Sequence, residues 1–436
     1  MGHLNHHKQA FIDLQRRHDQ GPAAMPGTKA AFEVLELLFT EEEARIAAAF
    51  PWDPVSAGKM ARRLGFSKET MAAKLDAMAE RGLVFDFVNP KTDKTIYALA
   101  PPVVGFIEFS LMRIRKDIDQ PRVARALHEL MFGDATFGEQ VFAEGDAQLG
   151  RALINEDTLE QGDFAEILDY ERATRIYENS GGGAVSLCYC RHKAEHMGEH
   201  CEFPMDVCTS LLPGADYIIR HGFGRPAEVS ELLEILAKTR ELGLVQIGDN
   251  IQRNVTYICN CCGCHCGQLR AINQHGLNGA VKTSNYIAAV DTDKCKGCGR
   301  CVRRCPIGAI SLQKLPPENG QPGKTVAVVD ENICLGCGVC VAACRKQALS
   351  MPARKERVLT PESTLSRIMM RALERGSVHN LLFDAEENHT MAFLNRIVGV
   401  VENLPPVKKV LLSKQVKSRF LQMMVAEGKK RGGDLV

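Results

Sequence analysis

Cysteine is where this sequence concentrates its chemistry. All 17 cysteines lie between Cys188 and Cys344, and the residues outside that 157-residue window have none. Two stretches, beginning at Cys295 and Cys334, each read C-x2-C-x2-C-x3-C and agree at nine of eighteen positions. Three thiolates spaced by two residues wrap one face of a cubane cluster, and the fourth points away to serve a second one. The spacing therefore predicts one [4Fe-4S] cluster on Cys295, Cys298, Cys301 and Cys344. A second falls on Cys334, Cys337, Cys340 and Cys305. Gly297, Gly299, Gly336 and Gly338 suit such loops because glycine accepts positive φ, which lets backbone N–H groups face the sulfurs. Paired C-x2-C motifs also make tetrahedral zinc sites. Eight cysteines in a duplicated pattern favour iron–sulfur.

The other nine cysteines form two groups, Cys188, Cys190, Cys201 and Cys208, then Cys259, Cys261, Cys262, Cys264 and Cys266. Four thiolates suffice for one cluster or one zinc. A straight helix over 190–201 would hold its ends about 16 Å apart, so a fold-back is expected, with Gly198 as the break. His192, His196 and His200 follow at helical spacing. They are read as a solvated face, with metal ligation as the alternative. The five-thiol run CNCCGCHC exceeds what one cluster needs. Either each group holds its own cluster and leaves one thiol spare, or the groups share ligands round one or two clusters. Zinc in 188–266 is the alternative. His265 is the candidate for a non-cysteine ligand, which an open, catalytic cluster would require.

These motifs need a scaffold, and the rest of the sequence reads as α+β, multi-domain and mostly helical. Residues 1–27, with His3, His6 and His7, read as a flexible lead-in. In 28–102, Thr40 and Glu43 form a capping box. Two short amphipathic helices meet at Gly65-Phe66-Ser67, and the alternating strands FDFV and IYAL follow. That order resembles a winged helix-turn-helix. Residues 103–180 read as helical without chemistry, 181–289 as the cysteine-rich domain, with a helix at 227–242, and 353–436 as a helical tail starting at Thr360-Pro361-Glu362. PPENGQPG at 316–323 is an inserted turn within the duplicated unit.

Residues 290–352 resemble the bacterial two-[4Fe-4S] ferredoxin domain, although Arg345 stands where the first half has Pro306. Arg303, Arg304 and Arg345 would raise cluster potentials. The wider order of segments, including ERGSVHNLLFD and LPPVKKVLLSKQVKSRFL in the tail, resembles a group of 4Fe-4S ferredoxin-type proteins of anaerobic bacteria. That resemblance implies an architecture and the role of a ferredoxin-type electron carrier, which would work through its cysteine ligands and need no other catalytic residue. Its partners would be redox proteins, such as a flavoprotein or an oxidoreductase complex. A redox-responsive DNA-binding regulator and an oxidoreductase with a catalytic cluster in 188–266 are the alternatives. Residues 56–100 carry eight basic and five acidic side chains, too weak a basic stripe for duplex binding. The chain has 54 Lys+Arg against 53 Asp+Glu, so no chain-wide attraction to nucleic acid is expected. Neither a membrane span nor a signal-peptide core is visible, and a cytoplasmic location is expected. The basic, amphipathic stretch 401–436 is read as a docked helix, with peripheral membrane contact as the alternative.

Overall fold

The computed structural model describes residues 8–89, 92–159, 168–317, 323–384 and 389–411. Helix takes 46% and strand 14%, so the chain is mixed α and β with helix the larger share.

The N-terminal expectation needs correction. Residues 8–27 are ordered: Gln9–Asp19 is a helix, and Phe11, Leu14, Ala24 and Met25 are buried. The apolar positions 11 and 14 share one face of that helix, and burying it outweighs the polar residues on the other. His3, His6 and His7 lie outside the described residues.

Next come the helices Lys29–Leu38, Glu41–Ala48, Ala57–Leu64 and Lys68–Glu80. Thr40 and Glu43 make the expected reciprocal cap, and Ser56 and Ser67 cap the next two helices. Gly65 takes φ +75° at the turn between them. The strands Val84–Asn89 and Lys94–Leu99 then pair antiparallel, Val84 opposite Leu99. This unit is bolted to the cysteine-rich region. The Tyr217 hydroxyl lies 2.9 Å from the carbonyls of Ala79 and Val84, and Asp86 meets Arg220 at 2.7 Å and His221 at 2.8 Å.

The central element is a six-stranded antiparallel sheet. Its spatial order is Gly150–Ala152, Val245–Asp249, Tyr257–Cys261, Cys208–Leu211, Gly183–Ser186 and Gly224–Ala227. Pro226 sits in the edge strand, where a missing N–H costs no ladder bond. The helix expected at 227–242 is observed as Val229–Glu241. Beyond the sheet, Ile310–Lys314 pairs with Thr325–Val329, and Ala289–Val290 with Leu349–Ser350. The inserted turn joins the first of these pairs, and its residues 318–322 lie outside the described residues. One apolar core continues from Ala10 to Met351, linking the N-terminal helices to the duplicated unit.

The tail helices are Thr364–Arg375, Val378–Leu382, His389–Glu402 and Pro405–Leu411. The cap of the first is Ser363, not Thr360. Thr360 is buried instead, and residues 361 and 362 accept backbone hydrogen bonds from Gln252 and Arg253. Most of the basic stretch 401–436 lies outside the described residues. Among the described residues, no helix is long and apolar enough to cross a membrane.

The N-terminal helix Gln9–Asp19 and Asp384, just after the helix Val378–Leu382, meet at a largely buried ion pair. Arg17 donates to both carboxylate oxygens of Asp384, at 3.1 and 2.9 Å, and the Trp52 amide donates to the same carboxylate. Removing the carboxylate strips two charge-assisted hydrogen bonds from a buried guanidinium, which costs about 3 kcal/mol. Asp384→Ala is thus expected to lower the unfolding midpoint and to speed proteolysis within residues 20–27. Unchanged denaturation and cleavage would show that this pair does not hold these helices together.

Candidate functional site

The duplicated unit presents its eight cysteines as two sets. Cys295, Cys298 and Cys301 lead into the short helix Arg300–Arg304, and Cys334, Cys337 and Cys340 into Val339–Ala342. Each helix then carries the fourth cysteine, Cys305 or Cys344, across to the other set. Cys295, Cys298, Cys301 and Cys344 line one cavity of about 380 Å³. Cys305, Cys334, Cys337 and Cys340 line another of about 330 Å³. This is the three-plus-one crossing that the spacing requires.

Local backbone chemistry supports the same use. Gly297, Gly299, Gly336 and Gly338 all take positive φ, from 60° to 81°. A Cβ at 297 would stand 2.5 Å from the Thr325 carbonyl oxygen, so the loop also needs the space. The amides of Ala309 and Ala348 donate to Cys305 and Cys344 at 3.2 and 3.4 Å, equivalent positions of the two halves. The Ala327 amide donates to Cys295 at 3.4 Å. Such donors stabilise negative charge on the sulfurs and tune a bound cluster. Burial pushes the Cys301, Cys305 and Cys340 thiols up, and the Cys337 thiol up to about 12. Of the expected basic neighbours, Arg304 is committed to the Leu242 carbonyl at 3.1 Å.

The other nine cysteines do not divide as four and five. Pairing of Cys208–Leu211 with Tyr257–Cys261 sets Thr209 opposite Ile258. Cys208 and Cys259 therefore become neighbours, their sulfurs 3.8 Å apart. Cys259 and Cys261 are two residues apart on one strand and so share a face. Cys188 and Cys190 begin the helix Tyr189–His196, and Cys266 precedes Gly267–His275. Cys188, Cys190, Cys208, Cys259, Cys261 and Cys266 together line a cavity of about 940 Å³. Six thiols thus border one cavity, more than the four that a [4Fe-4S] cluster needs. The Gly267 amide donates to Cys190 at 3.4 Å. Hydrogen bonding from Cys190 and Cys261 pulls Cys266 down to about 5.

Cys201 goes elsewhere. The helix ends at His196 and Gly198 takes φ +77°, the expected fold-back. It delivers Cys201 to the other group, 4.0 Å from Cys262 and 4.0 Å from Cys264, with His265 beside them. Cys262 also borders the large cavity. The Cys264 thiol and the Arg191 guanidinium pull Cys262 down to about 4. The histidines of the helix point away from this chemistry: His192 Nδ1 lies 2.7 Å from the Leu111 carbonyl and its ring packs on His196.

The segment 103–180, read as free of chemistry, supplies a wall of the large cavity through Val103, Val104, Glu108, Phe109 and Phe142. Val104 holds a left-handed φ of 56°, rare for a β-branched residue. Burial pushes the Glu108 carboxyl up to about 7 while it accepts from the Gly105 amide. An acid inside the apolar run VVGFIEFS was the available signal. The cavity also abuts the duplicated unit. A Cβ on Gly263 would land on the Pro306 carbonyl, and Asn273 Nδ2 donates to both Gly263 and Pro306, at 3.0 and 2.9 Å. Pro306 follows Cys305 directly, so the two cysteine regions share a contact at a candidate ligand.

Comparison with known proteins agrees with this geometry. A family described as a 4Fe-4S dicluster domain matches residues 294–348. A subunit of the ion-translocating oxidoreductase complex of Methanosarcina acetivorans is 38% identical over 200 residues, covering 44% of this chain and 69% of that protein. Ferredoxin-3 of Trichormus variabilis is 44% identical over 45 residues, 10% of this chain and under half of that protein.

Because burial holds the Cys337 thiol protonated up to about pH 12, loading this set must displace protons. Each displaced proton weakens apparent affinity about tenfold per unit fall in pH. Anaerobic loading of the metal-free chain with iron and sulfide should therefore decline steeply as pH falls, followed by the visible thiolate charge-transfer absorbance. Loading that does not change with pH would contradict the assignment of these thiols as ligands.

Proposed function

The chain belongs to the iron–sulfur family of that ion-translocating oxidoreductase subunit, and from that premise we propose that it is an electron-transfer subunit of an oxidoreductase complex. It relays single electrons between a redox partner, such as a flavoprotein, and the oxidoreductase, in the cytoplasm. One observation carries the reading: eight cysteines in two crossed sets, each set lining its own cavity, within a matched 4Fe-4S dicluster domain.

When bound, the two [4Fe-4S] clusters supply reversible one-electron chemistry. The chain's part is to hold and tune them. Cys295, Cys298, Cys301 and Cys344 hold one; Cys334, Cys337, Cys340 and Cys305 hold the other. Backbone amides at 309, 327 and 348 donate to the sulfurs. The six-thiol cavity at 188–266 is assigned a further cluster, and the Gly263–Pro306 contact supports its standing next in the relay.

The alternatives gain less support. If 28–102 is a winged helix, it serves as a docking element. Lys74 pairs with Glu42 at 2.7 Å and Arg81 with Glu43 at 2.5 Å, which neutralises two of the cations a DNA-reading helix would use. A catalytic cluster opened by His265 is disfavoured, because His265 sits with three closely spaced sulfurs outside the six-thiol set.

The test is iron, acid-labile sulfide and EPR on anaerobically purified full-length protein. Cys337→Ser should lower iron and sulfide by about four atoms each, simplify the spectrum of the reduced form, and slow electron delivery to an acceptor. Zinc with no sulfide in the wild type would sink the electron-transfer reading.

A further inference from the structure

The spacing of thiol sulfurs distinguishes one ion from a cluster. A tetrahedral ion about 2.3 Å from each thiolate sets the sulfurs about 3.8 Å apart. A cubane spreads its four cysteine sulfurs to roughly 6 Å. A close pair such as Cys208 and Cys259, 3.8 Å apart, does not by itself make a one-ion set. Among the described residues, one group of three or more metal-binding side chains is compact throughout, since the ligand atoms of Cys201, Cys262, Cys264 and His265 all lie within 4.8 Å of one another. The Cys201 sulfur is 4.0 Å from that of Cys262 and 4.0 Å from that of Cys264. Four ligand atoms gathered this closely match one ion rather than the spread of a cubane.

The imidazole behaves as a ligand should. His265 Nδ1 is buried with no hydrogen-bond partner, a cost that a metal ion would remove. On the other side of the ring, Nε2 lies 3.5 Å from the Glu199 carboxylate, which Arg270 also approaches at 3.5 Å. A carboxylate behind the distal nitrogen is the usual support of a metal-bound histidine, because it fixes the tautomer and raises basicity. Three thiolates round a divalent ion leave one net negative charge, and the buried Arg191 beside Cys262 offsets it. Cys264 is exposed, which gives an ion a way in.

We propose that Cys201, Cys262, Cys264 and His265 form a mononuclear zinc site of the Cys3His type, separate from every iron–sulfur cluster of the chain. Zinc suits this donor set because soft thiolates and a neutral imidazole in a tetrahedron are its ordinary structural ligands. The site pins the Gly198 turn to the loop 262–265. Cys261 and Cys266 flank that loop and enter the large cavity, and Gly263 within it meets Pro306. The zinc therefore closes one side of the six-thiol cavity and holds its loop against the duplicated unit.

The site does not rest on the electron-transfer reading, and metal analysis separates the two, since iron and sulfide report one and zinc the other. Full-length protein purified anaerobically should contain one zinc per chain besides its iron. Cys264→Ser and His265→Ala should each lose the zinc, with little change in iron and sulfide. His265→Cys should keep it and so guards against simple misfolding. Cobalt(II) in place of zinc should give the intense absorption of a tetrahedral thiolate site, lost in Cys264→Ser. A wild type without zinc would overturn the proposal. So would a Cys264→Ser protein that loses about four irons and four sulfides, since that would place Cys264 on a cluster.

Discussion

Thiolates that repel one another must be gathered round cations if they are to stay buried, and most of this architecture follows from that constraint. Seventeen cysteines with no disulfide among them stand close together in three regions, and burial pushes many of their thiols up. A buried anionic sulfur is costly without a metal. The protein limits the cost by spacing. The crossed quartets of the duplicated unit and the six-thiol ring open cavities of about 330 to 940 Å³. The Cys201, Cys262, Cys264 and His265 group closes to the scale of one ion.

The remaining elements hold these spacings. Antiparallel pairing of Cys208–Leu211 with Tyr257–Cys261 brings the two cysteine groups together, because register decides which sulfurs are opposite. The segment 103–112 walls the resulting cavity with apolar side chains and one high-pKa carboxyl. The first helix and the tail helices are tied together at Arg17 and Asp384. One core runs through the N-terminal helices, the sheet and the duplicated unit, so the relative positions of the cysteine cavities are set by packing rather than by linkers.

Local patterns were legible in the sequence, and long-range partners were not. C-x2-C-x2-C-x3-C is a local geometry repeated twice, so the grouping of its eight cysteines could be read directly. The Thr40–Glu43 cap and the Gly198 break were legible for the same reason. The grouping of the other nine depends on a strand pairing between residues some fifty apart, which no periodicity encodes; Cys208 meets Cys259 only through that register. Cys201 therefore lies beside Cys262 and Cys264 rather than its sequence neighbours, so the two groups interleave, as the shared-ligand reading of the sequence allowed. His265 was visible as a candidate ligand, but its setting, with a free Nδ1 and Glu199 behind it, exists only in the fold. The N-terminal lead-in misled because its polar composition hides the apolar face of Phe11 and Leu14.

Anomalous diffraction from anaerobically grown crystals, recorded at the iron and zinc absorption edges, tests the sorting of sulfurs without intermediate assumptions. Iron peaks are expected in the Cys295 set, in the Cys334 set and inside the six-thiol cavity, with a zinc peak between Cys201, Cys262, Cys264 and His265. Iron bridging Cys201 to the six-thiol ring, or no iron in that ring, would refute this sorting.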